Sequence, residues 1–419
     1  MTLGLLGAGV ELAVRSMALP WVLGMRWAGQ WGRSVPDGVP SPVFSLQLAA
    51  KMAADECFLI SEILSASFIS ARESRRVARE LSSAIELYKR RGWIEDPTRY
   101  HSAPSAPREV KIQSLRSWGI QHEHMSFESR WEPHPQEPGR DRWLGYEPNR
   151  TAHVRMLRHP GAPRPWIVCT PGYRMGHVAV DFLGFNASWL HQDLGLNVAI
   201  PVFPFHGPRQ VGRRSGDGFL RGDVLDTVHA QAQAVWDVRR LIGWLHRQDA
   251  PGIAVYGLSL GGYTAGLVAG LEPDLDCVIA GIPASDWVGL MRSHTSETIV
   301  RATHHLGFPW EKVEELLRVV SPLALPPRVA PSRRFLFAGT ADRLAPPEQA
   351  QSLWNHWGRP RLAWYHGSHV SFWIEPKVKA LVREALVSTG LLERPRQRRR
   401  APGRRNGIAR SPAATATRA

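Results

Sequence analysis

The sequence predicts an α/β fold in which a doubly wound, mostly parallel sheet carries helices on both faces. From about residue 150 onward, short apolar runs bounded by Gly, Pro or Asp alternate with helical patterns, as successive βαβ units require. One run, 253–256, leads directly into Gly257-Leu258-Ser259-Leu260-Gly261 and then into a further helical pattern, 262–271. A strand, a tight turn with serine and a helix in this order are typical of a serine nucleophile.

The apolar runs predict the individual strands of this sheet. They lie at 152–157, 166–169, 196–202, 253–256, 276–281, 335–338 and 362–365. Apolar residues at helical spacing between 228 and 245 predict a long helix before the strand at 253–256. Residues 95–150, rich in Pro, His, Arg and Glu, are expected to lead into antiparallel strands that precede the parallel part.

Ser259 is the predicted nucleophile. The turn around it is so tight that its neighbours two residues away on either side must be small, and both are glycine. A serine hydroxyl becomes reactive when a histidine removes its proton and a carboxylate orients that histidine. Asp342 follows the strand at 335–338 and His369 follows the strand at 362–365, which gives the chain order Ser, Asp, His.

Other residues compete for two of these roles. Asp286 follows the strand at 276–281 and is the alternative acid. His366 comes at the end of the last strand and is the nearest alternative base. Three further histidines fall in the segment after Asp286 or on the helix after Asp342: His304, His305 and His356.

With these residues in place, the chain resembles the α/β-hydrolase superfamily over roughly residues 150–390. It is most similar to a branch with a helical N-terminal extension and the segment His206-Gly207-Pro208-Arg209. The resemblance implies an oxyanion hole made of backbone N–H groups, one from Leu260 and one from the loop after the strand at 166–169. In that loop the N–H of Tyr173 is the expected donor and that of Arg174 the alternative.

A cluster of basic residues follows the strand at 196–202, on the side of the sheet where the active site is expected. Arg209, Arg213 and Arg214 could bind an anionic head group or a carboxylate of the substrate. Alternatively they bridge loops or the N-terminal extension through ion pairs. His206 is expected to be structural.

The 419 residues divide into three predicted parts. Residues 1–110 form a helical extension, 111–392 the hydrolase domain with a cap insertion at 285–325, and 393–419 a disordered basic tail. In the extension, residues 45–91 are strongly helical, with a terminating glycine at Gly92. We expect the extension to brace the hydrolase domain; alternatively it covers the substrate entrance or forms a dimer surface.

The formal net charge of +15 is concentrated at the C-terminal end, because nine arginines and no acidic residue lie from Arg394 onward. Such a tail cannot build a core and is interpreted as a solubilising terminus. Contact with an anionic membrane is the alternative. Nucleic-acid binding is disfavoured, because the tail has no aromatic residue and no nucleic-acid-binding motif.

The N-terminal residues predict neither a signal peptide nor a membrane span, because Glu11 and Arg15 interrupt the apolar run and no basic leader precedes it. Residues 18–27 could rest at a membrane surface, although a helix packed on the hydrolase domain is the preferred interpretation. Cys57, Cys169 and Cys277 are expected to be buried free thiols without metal-ligand spacing. The expected location is therefore the cytoplasm, with a peripheral membrane association as the alternative.

Together these observations predict a serine hydrolase that cleaves a small-molecule or lipid carboxylic ester without a metal or organic cofactor. A hydrophobic acyl chain is expected, because the predicted cap is apolar. The same three residues would also serve an acyltransferase, and the fold also hosts inactive binding proteins. The oligomeric state is left open.

Overall fold

The computed structural model describes residues 38–43, 45–65, 70–220, 223–295 and 310–393. These residues are built around one nine-stranded sheet. The strands are β1 (Lys111–Ser117), β2 (Ile120–Glu128), β3 (Thr151–Leu157), β4 (Trp166–Thr170), β5 (Asn197–Val202), β6 (Ile253–Leu258), β7 (Cys277–Gly281), β8 (Arg334–Gly339) and β9 (Arg361–Tyr365). Their order is β1-β2-β3-β5-β4-β6-β7-β8-β9. The pairs β1–β2, β2–β3 and β3–β5 are antiparallel, and the remaining pairs are parallel. The predicted fold class, a mostly parallel sheet, is confirmed.

Helices cover both faces of this sheet. They are α1 (Leu46–Ser65), α2 (Ala71–Arg91), α3 (Arg140–Leu144), α4 (Val178–Gly184), α5 (Val224–His246), α6 (Leu260–Leu271), α7 (Trp287–His294), α8 (Trp310–Leu317), α9 (Pro347–His356) and α10 (Pro376–Ser388). The alternation of side chains along a strand separates the two cores. In β4, Trp166 and Val168 face the core that contains α2, α5 and α6, whereas Ile167 and Cys169 face the core that contains α4 and α10.

The position of the site follows from the connections of β4. The chain passes from β4 to β5 on one side of it and later returns to β6 on its other side. In open α/β sheets, ligands bind beyond the carboxyl ends of the strands where the order reverses in this way. The loops after β4 and β6 therefore lie where a binding crevice is expected.

Helix α2 is part of the main core. Its inward face carries Val77 and Leu81, which lie in the same buried cluster as Leu316 of α8. Ser70 and Glu73 form a capping box at its start, and Gly92 ends it with a left-handed φ of 67°. The predicted helical pattern at 45–91 corresponds to two helices, α1 and α2.

Several predictions concern residues outside the described ranges. These are the helix in residues 1–35 with the membrane-surface segment 18–27, residues 296–309 of the predicted cap, His304, His305, and the tail from Arg394 onward. Within the described part of the segment predicted to be a cap, α7 and α8 are helical. Among the described residues, no helix combines the length and apolarity needed to cross a membrane.

The predicted burial of all three thiols is wrong for Cys57. Cys169 and Cys277 are buried, but Cys57 is exposed. On α1 the residue two positions earlier, Asp55, is fully buried. Because two residues correspond to about 200° around a helix, an inward Asp55 turns Cys57 to the opposite face.

Candidate active site

Ser259 lies in a sharp turn between β6 and α6. Its φ of 56° and ψ of −112° lie outside the ordinarily allowed regions for a residue with a side chain. A Cβ on Gly257 would lie 2.0 Å from the carbonyl oxygen of Gly261, and a Cβ on Gly261 would lie 1.8 Å from that of Thr170. The backbone approaches itself so closely that both positions require glycine.

His369 and Asp342 form a buried pair beyond the ends of β9 and β8. Nδ1 of His369 lies 2.7 Å from Oδ2 of Asp342. The other carboxylate oxygen, Oδ1, accepts hydrogen bonds from the backbone N–H groups of Leu344 and Ala345 at 2.9 and 2.8 Å. The side chain of Asp342 is thus held at both oxygens, and with Nδ1–H donating to Oδ2 the lone pair of the imidazole lies on Nε2.

The surroundings of His369 favour its protonated form. Burial by itself lowers the pKa of the imidazole, but the charge and hydrogen bond of Asp342, together with the charge of Asp55, outweigh this effect and raise the pKa above its usual value. A base with this environment readily accepts a proton and holds the positive charge that results.

The sheet brings Ser259 to the same edge as this pair. The strands β6, β7, β8 and β9 are neighbours and run parallel. Ser259 directly follows β6, Asp342 lies in the loop after β8, and His369 lies in the loop after β9. Three residues that are far apart in the sequence therefore lie at the same carboxyl edge of neighbouring strands.

The competing residues have other contacts. Oδ1 of Asp286 accepts the backbone N–H of Gly289 at 3.0 Å and caps α7. His366 is exposed, and its carbonyl oxygen accepts a hydrogen bond from Lys51 at 3.3 Å. Nε2 of His356 lies 2.8 Å from the carbonyl oxygen of Leu325. Asp342 is the carboxylate that the structure places on His369.

The predicted oxyanion donors flank the turn. Leu260 is the first residue of α6, where backbone N–H groups lack acceptors within the helix. The loop after β4 packs against the turn, since a Cβ on Gly172 would lie 3.6 Å from Cβ of Ser259. Tyr173 follows in this loop, and the guanidinium of Arg174 stacks over its ring at 4.7 Å. The backbone segments that carry both N–H groups therefore adjoin Ser259.

Arg209 lies inside the protein, which favours the second interpretation given to the basic cluster. It is fully buried, and its guanidinium donates to Asp237 and to the carbonyl oxygens of Val202 and Asn149 at 2.8 to 2.9 Å. His206 is also fully buried, and burial lowers the pKa of its imidazole to about 4. Both residues hold the loop after β5 in place.

The other two arginines are exposed. The guanidinium of Arg214 lies 3.4 Å from the carboxylate of Glu62 on α1, which matches the ion-pair interpretation. Of the basic cluster, these two are the residues that solvent reaches.

Arg209→Met should destabilise the protein by about 3–5 kcal/mol, because it leaves the carboxylate of Asp237 buried without its cation. Arg213→Met, at an exposed position, should change the free energy of unfolding by no more than about 0.5 kcal/mol. Urea denaturation of both variants measures this difference. A stable Arg209→Met variant that bound anionic esters more weakly would instead assign Arg209 to the substrate.

The sequence did not identify Asp55 as a residue of the site. Its carboxylate, on α1, accepts hydrogen bonds from the backbone N–H groups of Arg343, His369 and Val370. In a helical sequence pattern, an acidic residue such as Asp55 is expected to face solvent. No local signal distinguishes it, because all three of its partners lie about 290 to 315 residues later in the chain.

Polar contacts attach the rest of α1 to the same edge of the sheet. Lys51 pairs with Glu375 at 2.5 Å, and Glu56 pairs with Arg343. Glu62 pairs with Arg174 at 2.7 Å. Helix α1 therefore contacts the loops after β4, β8 and β9.

Among the described residues, no group of three or more His, Cys, Asp and Glu side chains is arranged to bind a metal ion.

Comparisons with known proteins identify one matching family model and several similar proteins. Residues 235–375, which include Ser259, Asp342 and His369, match the model of the prolyl oligopeptidase family. Two uncharacterized proteins of Mycobacterium tuberculosis, from strains CDC 1551 / Oshkosh and ATCC 25618 / H37Rv, are each 40% identical over 375 residues, which is 89% of this chain and 90% of theirs. A solved structure, the acetyl xylan esterase from Paenibacillus sp. R4, is 15% identical to this chain, with a TM-score of 0.46. The structural alignment covers 69% of this chain and 89% of the esterase chain.

Proposed function

The chain belongs to the α/β-hydrolase superfamily, and on that premise we propose that it is an esterase that uses Ser259 as its nucleophile. The match to the prolyl oligopeptidase family supports a serine hydrolase in general. The observation that carries the proposal is the buried hydrogen bond between His369 and Asp342 at the edge of the sheet where the Ser259 turn lies.

In the proposed reaction, Nε2 of His369 takes the proton of the Ser259 hydroxyl while the oxygen attacks the ester carbonyl. Asp342 keeps the imidazole in the tautomer that can accept this proton. The N–H groups of Leu260 and Tyr173 stabilise the negative oxygen of the tetrahedral intermediate. The alcohol leaves with the proton from His369, and water then releases the acyl group from Ser259 by the same steps.

Aromatic packing beside the nucleophile turn supports an apolar acyl group. Tyr263, one turn along α6 from Ser259, stacks on Trp287 of α7 with ring centroids 4.0 Å apart and planes inclined by 10°. Both rings are buried. Aromatic side chains on this side of Ser259 favour hydrocarbon over a charged or strongly hydrated group.

We expect the wild-type protein to react with a fluorophosphonate probe and to hydrolyse p-nitrophenyl esters. kcat/KM should rise from acetate to esters with four to eight acyl carbons, because each buried methylene contributes about 0.8 kcal/mol of transfer free energy. Fastest hydrolysis of acetate would argue against the apolar acyl group. A lack of both labelling and turnover would argue against the enzyme itself, and transfer of the acyl group to an added alcohol in preference to water would indicate an acyltransferase.

A further inference from the structure

A second carboxylate, outside the proposed Ser-His-Asp set, contacts the loops that carry the acid and the base. Asp55 on α1 has no exposed surface. Its Oδ2 accepts the backbone N–H groups of Arg343 and His369, each at 2.9 Å, and its Oδ1 accepts that of Val370 at 3.0 Å. Arg343 directly follows Asp342, so one side chain joins the residue after the acid to the base itself.

Three N–H donors for one buried carboxylate make a strong arrangement, because hydrogen bonds to a charged acceptor are about twice as strong as those between neutral groups. The donors lie on two separate loops, one after β8 and one after β9. Two backbone hydrogen bonds join these loops near the sheet, from Thr340 to Tyr365 at 3.0 Å and from Ala341 to Gly367 at 3.1 Å. Asp55 adds a link farther along both loops, at the residue after the acid and at the base itself.

We infer that Asp55 is a positioning residue of the active site, which fixes the loops of Asp342 and His369 relative to each other from outside the sheet. This inference rests on the proposed function, since it assigns Asp55 a role in the same reaction. Asp55 does not itself touch the reacting atoms in this scheme. It acts through the position of His369 and through its negative charge beside the imidazole.

The charge of Asp55 has a second effect. It adds to that of Asp342 in raising the pKa of His369 above its usual value, against the lowering caused by burial. The titratable and charged groups around this region come from α1, from the loop after β8, and from β9 and the loop that follows it. They are Lys51, Asp55, Glu56, Asp342, Arg343, Tyr365, His366 and Glu375.

The charge of Asp55 should also affect the pH dependence of kcat/KM. The base must be unprotonated in the free enzyme, so kcat/KM rises as pH increases through the pKa of His369. Without the charge of Asp55 that pKa falls. The acidic limb of the pH profile should therefore move to lower pH when Asp55 is neutralised, even though the rate at the plateau decreases.

Asp55→Asn is the test variant. Asparagine has one acceptor oxygen, and its NH2 group would face an N–H donor, so at least one of the three N–H groups loses its partner. We expect kcat for a p-nitrophenyl ester to fall at least about tenfold, with little change in KM, because a small displacement of catalytic groups affects the transition state most. The pKa of the His369 imidazole, followed by NMR, should fall as well.

Glu56→Gln is the matched control. It removes the same charge from the next residue of α1 and breaks a contact with Arg343, but that contact involves the side chain and not the loop backbone. We expect kcat and the acidic limb of Glu56→Gln to stay close to those of the wild type. Asp55→Glu keeps the charge with an altered reach, so it should lower kcat and leave the acidic limb in place.

Equal kcat and equal acidic limbs in Asp55→Asn and the wild type would overturn the inference. The same effects in Glu56→Gln would also overturn it, because they would arise from loss of α1 docking in general. If Asp55→Asn does not fold, Asp55→Glu becomes the deciding variant. A kcat of Asp55→Glu equal to that of the wild type would reject the positioning role of Asp55. The NMR titration does not need turnover: were the wild type inactive, an unchanged His369 pKa in Asp55→Asn would still reject the inference, and a lowered one would support it.

Discussion

Ser259→Ala is expected to abolish labelling by a fluorophosphonate probe and to reduce ester turnover on the order of a millionfold. The methyl group of alanine cannot attack a carbonyl, and His369 then has no hydroxyl to deprotonate. The fold should persist, because the side chain of Ser259 caps no helix and its backbone is held by hydrogen bonds to Gly281 and Tyr263 that alanine retains. Labelling and turnover are measured on protein whose thermal unfolding matches that of the wild type.

Ser285→Ala is the control for this experiment. Ser285 also lies beyond the carboxyl end of a strand, β7, but its hydroxyl donates to the carbonyl oxygen of Gln349. This variant should lose about 1 kcal/mol of stability and keep its labelling. Labelling that survives in Ser259→Ala would move the nucleophile to another residue and contradict the proposed reaction.

Asp342→Asn should reduce kcat about ten-thousandfold. The amide can donate a hydrogen bond to Nδ1 of His369, which leaves the proton on Nε2, where the lone pair is needed. The charge that stabilises the imidazolium is also lost. Steady-state kinetics with a p-nitrophenyl ester measure the effect.

Asp286→Asn is the matched comparison, because Asp286 is the other carboxylate that the sequence offered for this role. Its side chain caps α7, and asparagine is an equally good cap. Activity should therefore change little. A large loss in Asp286→Asn with a small one in Asp342→Asn would reverse the assignment of the acid.

The parallel strands were predictable because strands buried on both faces form continuous apolar runs. The residues of β4, β6 and β8 are all buried, and the sequence shows each of them as such a run. β1 was not predicted individually. Nearly all of its residues are exposed, because it is the outermost strand, and its polar sequence carries no burial signal.

The candidate nucleophile, acid and base could be named from the sequence because each follows a predicted strand. The basic residues after β5 could not be sorted in the same way. Arg209 and Arg213 are four residues apart and chemically identical, yet one is fully buried on Asp237 and the other is exposed. What separates them is the position of α5, and a local pattern contains no information about it.

The contacts of Asp55 could not be predicted from a local pattern either, because its partners lie much farther along the chain. The sequence analysis placed the expected cap at 285–325 and regarded the N-terminal extension as a brace, with coverage of the substrate entrance as the alternative. The structure adds that α1 contacts the loops of the active-site edge through Asp55, Glu56 and Glu62. Ion pairs between distant segments leave no periodic signal, so this attachment becomes visible only in three dimensions.

The attachment of α1 has a practical consequence for anyone who divides this protein into pieces. A fragment cut to residues 235–375 would contain Ser259, Asp342 and His369 but would omit Asp55 and the first five strands. If Asp55 has the role inferred above, the proposed reactive groups would be present in this fragment without the side chain that links their loops. We therefore expect an active fragment to begin ahead of α1, nearly two hundred residues before the segment that the family match alone would suggest.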